Sequence, residues 1–201
     1  MKGLLVVLSG PSGSGKGTVV NQLAAKDGYS LSVSITTRKP RAGEVDGRDY
    51  FFTTREEFES LMARNALLEH AEYVNNYYGT PLEYVENQIA KGAVVILEIE
   101  VIGALQVKEV FPDAILIFLI PPTISELRQR LTSRNTEDAA TIESRLEKAK
   151  EEVAMVDKYD YIVINDTVDA AVRQVEEIIT VERLKSTNCA SVINHFLEVI
   201  C

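Results

Sequence analysis

The chain has 201 residues, 46% of them hydrophobic and 25% charged, with a formal net charge of −9. That length suits one globular domain with a substantial core, and the acidic surplus argues against general affinity for nucleic acid or anionic membranes, which need clustered positive charge. No apolar run reaches bilayer length, no signal-like start is present, and the two cysteines, Cys189 and Cys201, lack metal-ligand spacing, so a cytoplasmic protein without a disulfide framework is expected.

The first apolar run, Leu4–Leu8, reads as a buried strand, and a helical pattern starts at Val19. Between them lies Gly10-Pro11-Ser12-Gly13-Ser14-Gly15-Lys16-Gly17-Thr18. Glycines allow a tight turn whose amides converge on one point, and the helix start adds unpaired N–H groups and its positive dipole end. The spacing of glycine, four residues and Gly-Lys is that of a P-loop, with Lys16 as the cation for the β- and γ-phosphates of a nucleotide. Residue 17 is glycine, so no hydroxyl follows the lysine directly; Thr18 comes one place late, and Mg²⁺ ligation falls to water or to another residue.

Residues 34–84 are rich in Thr, Arg, Gly, Tyr and Glu, with strand candidates at Asp49–Phe52 and Leu68–Val74 and an amphipathic helix at Arg55–Ala66. They read as a small mixed insertion. Beyond them the apolar runs Val94–Ile99, Ala114–Ile120 and Tyr161–Ile164 alternate with helical spacing at Thr123–Ser133, Ala140–Val156 and Ala170–Leu184. Such alternation predicts an α/β fold: a parallel sheet flanked by helices, with ligands at the carboxyl ends of the strands. The core is expected over 1–33 and 85–185, with a helical lid over about 126–153 around the polar stretch Thr132–Thr141. In the tail, 186–201, Val192, Ile193, Phe196, Leu197 and Ile200 fall at helical spacing, which favours a short amphipathic helix packed on its own domain.

Two clusters stand out chemically. Glu98 and Glu100 end the run Val94–Ile99, and strand alternation would set both on one face, where P-loop folds orient Mg²⁺ directly or through water. Arg38-Lys39-Pro40-Arg41 sets three cations within four residues of an acidic chain, a grouping suited to gripping a phosphate. Spacing does not decide whether Tyr50, Tyr77 and Tyr78 are core or hydroxyl donors.

The segments Ser34-Ile35-Thr36-Thr37-Arg38-Lys39-Pro40-Arg41-Ala42-Gly43-Glu44, Gly47-Arg48-Asp49-Tyr50-Phe51-Phe52, Glu69, and Asn76-Tyr77-Tyr78-Gly79-Thr80 resemble guanylate kinases, and the similarity runs in unbroken order over residues 3–185. The resemblance implies transfer of the γ-phosphoryl group of ATP to GMP, with Mg²⁺ accompanying ATP. It implies that the insertion holds GMP, with Arg38, Arg41, Tyr50 and Tyr78 at its phosphate and Ser34, Glu69 and Thr80 at the guanine, Gly79 belonging to the same site. It sets Arg134 and Arg145 on the transferring phosphoryl group beside Lys16, and Arg130 and Asn165 near the adenine. Where the family commonly has Asp this chain has Glu98 and Glu100, and it has Ile102 in place of Gln. The tail after about Lys185 has no evident counterpart.

A carboxylate suits guanine because its two oxygens accept from the adjacent N1–H and exocyclic amine, whereas adenine offers an acceptor there and leaves the carboxylate unpaired. The expected partners are ATP and GMP, without nucleic acid or membrane; monomer and homodimer both remain open, as does acceptance of dGMP. A non-catalytic guanylate-kinase-like interaction module is disfavoured by the intact loop with Lys16, and another nucleoside monophosphate kinase is separable by its acceptor. His70 and His195 receive no catalytic role.

Overall fold

The computed structural model describes residues 2–133 and 139–189, together with 193, 197 and 198. In chain order, β1 (Leu4–Ser9) runs into α1 (Lys16–Ala24) and β2 (Tyr29–Leu31). Next come β3 (Ile35–Thr36), β4 (Phe51–Phe52), α2 (Arg55–Ala63), β5 (Leu67–Tyr73) and β6 (Asn76–Pro81). The remainder is α3 (Leu82–Ala90), β7 (Val94–Glu98), α4 (Val101–Val110), β8 (Ile115–Ile120), α5 (Ile124–Thr132), α6 (Ala139–Val153), β9 (Tyr161–Ile164) and α7 (Val168–Arg183).

Five strands form a parallel sheet in the order β2-β7-β1-β8-β9. Every residue of β1 is buried because both faces are covered. Leu4, Val6 and Leu8 pack with Val19, Leu23 and Val175 on one side. Leu5 and Val7 pack with Val85, Ala104 and Val107 on the other. Leu8 lies opposite Glu98, so the register brings that carboxylate to the end of β1 where the glycine loop begins.

The second sheet has the order β4-β3-β6-β5, with β3–β4 parallel and the other pairs antiparallel. The β5–β6 hairpin turns through Val74 and Asn75, both at positive φ (49° and 60°), the conformation that two-residue hairpin turns demand. Glu69 on β5 then stands directly opposite Thr80 on β6. Helix α2 starts on a reciprocal cap between Thr54 and Glu57. Helices α5 and α6 share a small cluster of their own: Leu127, Leu131, Ile142, Leu146 and Ala149.

Three expectations need correction. The strand expected over Val94–Ile99 stops at Glu98, and Glu100 caps the N-terminus of α4, so strand alternation is not what relates the two glutamates. Helices α3 and α4 and strands β2, β3 and β6 join the expected elements. In the tail, a 3₁₀ turn covers Ser186–Asn188; the described residues Ile193, Leu197 and Glu198 are helical as expected, but Ile193 and Leu197 are exposed, while Val192, Phe196 and Ile200 lie outside the described residues, as does His195. No helix among the described residues is long and apolar enough to cross a membrane.

Candidate active site

The site begins where β1 ends. Gly10 has φ 142°, and a Cβ there would sit 2.1 Å from the carbonyl oxygen of Leu119; only glycine lets the loop pass this close to β8. Gly15 caps α1 in the left-handed region, and a Cβ there would meet the Asn165 side-chain nitrogen at 2.4 Å. That nitrogen donates to the Ser14 carbonyl (2.8 Å), and Arg130 donates to the Asn165 carbonyl (2.9 Å) and to Glu126 (2.9 Å). Arg130 and Asn165 therefore buttress the outer side of the loop. Helix α1 has no acidic residue in its first turn, so nothing offsets its positive end toward an anion.

Lys16 folds back over the loop and donates to the carbonyls of Gly10 (2.6 Å) and Pro11 (3.2 Å). Burial lowers its pKa, opposed by the charges of Glu98, Glu152 and Glu100. Burial likewise raises the Glu98 carboxyl, with Lys16 pulling it down. Both groups are held against the cost of desolvation, and an anion near Lys16 would stabilise its ammonium. Gly17 faces Glu98: a Cβ there would lie 3.5 Å from Oε1. Thr18 is exposed.

A cavity of about 370 Å³ opens over the loop, lined by Gly10, Ser12, Lys16, Tyr50, Glu98 and Glu100, with Arg145, Lys148 and Glu152 from α6. The loop, the end of β7, helix α6 and the residue preceding β4 thus meet in one place. Arg145 donates to the Ser12 hydroxyl (2.9 Å), and Lys148 to Glu100 (2.8 Å). Arg134 lies outside the described residues. The two glutamates do face the same space, by a different route: Glu98 from the strand and Glu100 from the cap of the next helix. Among the described residues, no group of three or more His, Cys, Asp or Glu could hold a metal ion. Two carboxylates without a protein cage fit Mg²⁺ that arrives with nucleotide phosphates and keeps its waters.

Tyr50 connects this cavity to the second sheet. Its ring packs edge-on to Tyr78 at 6.1 Å, and the Arg38 guanidinium stands 5.3 Å from its centroid. Arg38 makes parallel hydrogen bonds to both Glu44 oxygens (3.0 and 2.8 Å), and the Arg41 amide donates to the same carboxylate (2.7 Å). Arg38, with that amide, holds the Glu44 carboxyl below its ordinary value. The Arg41 side chain is exposed. Ser34 accepts the Phe51 amide through its carbonyl (2.9 Å), which ties β4 to β3.

Glu69 is buried, with a relative exposure of 7%, and accepts the Thr80 hydroxyl at 2.7 Å. Burial raises its carboxyl, and Thr80 pulls it back. Two glycines let it sit there. A Cβ on Gly103 of α4 would lie 2.9 Å from Glu69 Oε2, and one on Gly79 would lie 2.9 Å from the Glu69 carbonyl. The role of Gly103 left no trace in the sequence, since it depends on α4 packing against β5. Lys148 and Glu152 did leave one: with Arg145 they repeat at i, i+3 and i+7 on one face of a helix.

The guanylate kinase family model matches residues 2–182. The guanylate kinase of Bacillus subtilis is 52% identical over 200 residues, covering 98% of each chain. That of Lactococcus lactis is 54% identical over 185 residues, covering 92% of this chain and 90% of its own. The crystal structure of guanylate kinase from Anaplasma phagocytophilum superposes with a TM-score of 0.74 at 33% identity, covering 92% of this chain and 88% of that one. The near-complete Bacillus match extends past Lys185, so the tail does have a counterpart. The chain belongs to the guanylate kinase family.

Proposed function

We propose that the chain transfers the γ-phosphoryl group of ATP to GMP, giving ADP and GDP. The observation that carries this reading is the shared cavity: Lys16 of the glycine loop and Tyr50, just before β4 of the second sheet, line the same space. A nucleotide held by the loop and a monophosphate held beside Arg38, Tyr50 and Tyr78 would present their phosphates to each other there. Residues 34–84 are then the GMP-binding insertion, and 126–153 the lid.

The loop amides, Lys16 and the α1 N-terminus bind the phosphates of ATP, with Arg130 and Asn165 toward its base. Arg38 and Arg41 bind the GMP phosphate with the hydroxyls of Tyr50 and Tyr78, which requires Arg38 to share its donors between Glu44 and the ligand. Glu69 accepts from the guanine N1–H and amine, while Ser34 and Thr80 complete the base site with Gly79. Rejection of adenine follows from leaving a buried carboxylate unpaired.

No side-chain nucleophile or general base is required. The second pKa of a phosphate monoester is about 6, so GMP is largely a dianion at neutral pH and its own oxygen attacks the γ-phosphorus. The protein aligns the two phosphates and neutralises charge with Lys16, Arg145 and Arg134. Glu98 and Glu100 would hold Mg²⁺ brought by ATP, with water in the place of the hydroxyl that Gly17 lacks; the metal supplies neutralisation of the β- and γ-phosphates. Closure of α5 and α6 excludes water as a competing acceptor. The acidic surface, paucity of cysteine and substrate pair support a cytoplasmic enzyme of purine nucleotide recycling.

ADP release measured with GMP, AMP, UMP and CMP in turn tests the proposal. GMP should exceed the others by about 10³-fold or more, as expected when a site built on hydrogen bonds rejects the wrong base. A preference for another monophosphate, or no turnover with Mg²⁺ present, would refute it.

A further inference from the structure

Three cations and three carboxylates line the cavity over the loop: Lys16, Arg145 and Lys148 against Glu98, Glu100 and Glu152. The mechanism above leaves Lys148 and Glu152 without a part. Both stand on the face of α6 that carries Arg145. Lys148 donates to Glu100 Oε2 at 2.8 Å and lies 3.9 Å from Glu152 Oε1. Glu152 is buried, at 7% exposure. Lys148 thus bridges a buried carboxylate of the lid helix and a carboxylate at the start of α4. Burial alone would lower the Lys148 pKa, but the Glu100 hydrogen bond and the charges of Glu100 and Glu152 hold it above its ordinary value.

Glu100 is also a carboxylate that the proposed function gives to the divalent cation. Lysine and metal therefore compete for the same oxygens. We infer that Lys148 is a positioning residue: its ammonium occupies Glu100 while the nucleotide is away, and the divalent cation arriving with ATP displaces it. The charges favour such an exchange. Without nucleotide, the three cations balance the three carboxylates. Two anionic substrates bring a large negative surplus, and a metal that takes over Glu100 releases one cation on the lid helix, beside Arg145, where the phosphates lie. The same exchange opens the link between α6 and α4, so the lid can shift when ATP enters. This inference rests on the reading of Glu100 as a metal-facing residue.

Mn²⁺ binding to the nucleotide-free enzyme, followed by the electron paramagnetic resonance signal of the free ion, tests it. Lys148→Met keeps helix propensity and removes the charge. It should bind Mn²⁺ roughly fivefold more tightly than the parent, the upper range for an exposed ion pair. Lys148→Arg should bind as the parent does, and adding Glu100→Gln to Lys148→Met should erase the gain. Unchanged Mn²⁺ affinity in Lys148→Met overturns the inference. If Glu100→Gln meanwhile weakens Mn²⁺ binding in the presence of ATP, the metal-facing reading of Glu100 survives that result. If Glu100→Gln binds Mn²⁺ with ATP as tightly as the parent, that reading falls and takes the inference with it.

Discussion

Replacing Glu69 by glutamine isolates the proposed base-reading step. The side chain keeps its size and can still accept the Thr80 hydroxyl, which lies 2.7 Å from Oε1. What changes is the second oxygen, which becomes an amine and meets a guanine donor with a donor. The loss of one hydrogen bond to a charged group costs about 1.5–3 kcal/mol, and an unpaired buried donor adds about 1 kcal/mol or more. At about 1.36 kcal/mol per factor of ten, kcat/KM for GMP should fall roughly 10²–10³-fold. The KM for ATP should stay within about twofold, because the loop site touches none of these atoms. Steady-state ADP release at varied GMP and varied ATP reads both values. Parallel losses on the two substrates, or a GMP loss below about threefold, would remove Glu69 from the base site. Stability should move the other way. Burial raises the Glu69 pKa above its ordinary 4.5, so between 4.5 and the raised value the native state binds more protons than the unfolded chain and stability falls as pH rises. At neutral pH, without ligand, Glu69→Gln should therefore melt at a higher temperature than the parent, and the difference should vanish below pH 4.5, where both states are protonated.

Other substitutions probe the remaining parts. Lys16→Met should lower kcat by about 10²–10³-fold, the usual loss for one preorganised electrostatic contact, while circular dichroism shows an intact fold. Gly103→Ala would push a methyl within 2.9 Å of Glu69 Oε2, and should raise the KM for GMP about tenfold with little effect on ATP; an unchanged KM would show that Glu69 has room to move. Gly10→Ala, with its Cβ 2.1 Å from the Leu119 carbonyl, should lower Tm by several degrees in calorimetry and reduce ATP affinity together, because the same close approach serves packing and the loop.

The glycine loop was legible because a phosphate cradle requires its residue types at fixed local spacing, although Gly10 and Gly15 also answer to Leu119 and Asn165 far along the chain. The central strands β7, β1 and β8 were legible because, covered on both faces, they read as unbroken apolar runs. The passage from β7 to α4 was not. Val94-Val95-Ile96-Leu97-Glu98-Ile99-Glu100-Val101 carries no proline or glycine, so nothing local marks the end of the strand at Glu98 or the cap at Glu100. The two-residue strand Ile35–Thr36 exists only through its pairing with β4 and β6. In the site, Glu69 could be named from its resemblance to family members, but its burial against Thr80 and Gly103 arises from a cross-strand register and a helix more than thirty residues away in sequence. Lys148 shares a helix face with Arg145 by spacing, but it was not legible as a site residue, because only the position of Glu100 gives that spacing a meaning.

In the proposed reaction two anionic nucleotides meet phosphate to phosphate over Lys16. A crystal structure of the protein with GMP and a non-hydrolysable ATP analogue tests it most directly. The guanine is expected against Glu69 and Thr80, the GMP phosphate beside Arg38, Tyr50 and Tyr78, and the triphosphate in the glycine loop with its terminal phosphate toward GMP. GMP bound anywhere outside residues 34–84, or a triphosphate that makes no contact with Lys16, would contradict it.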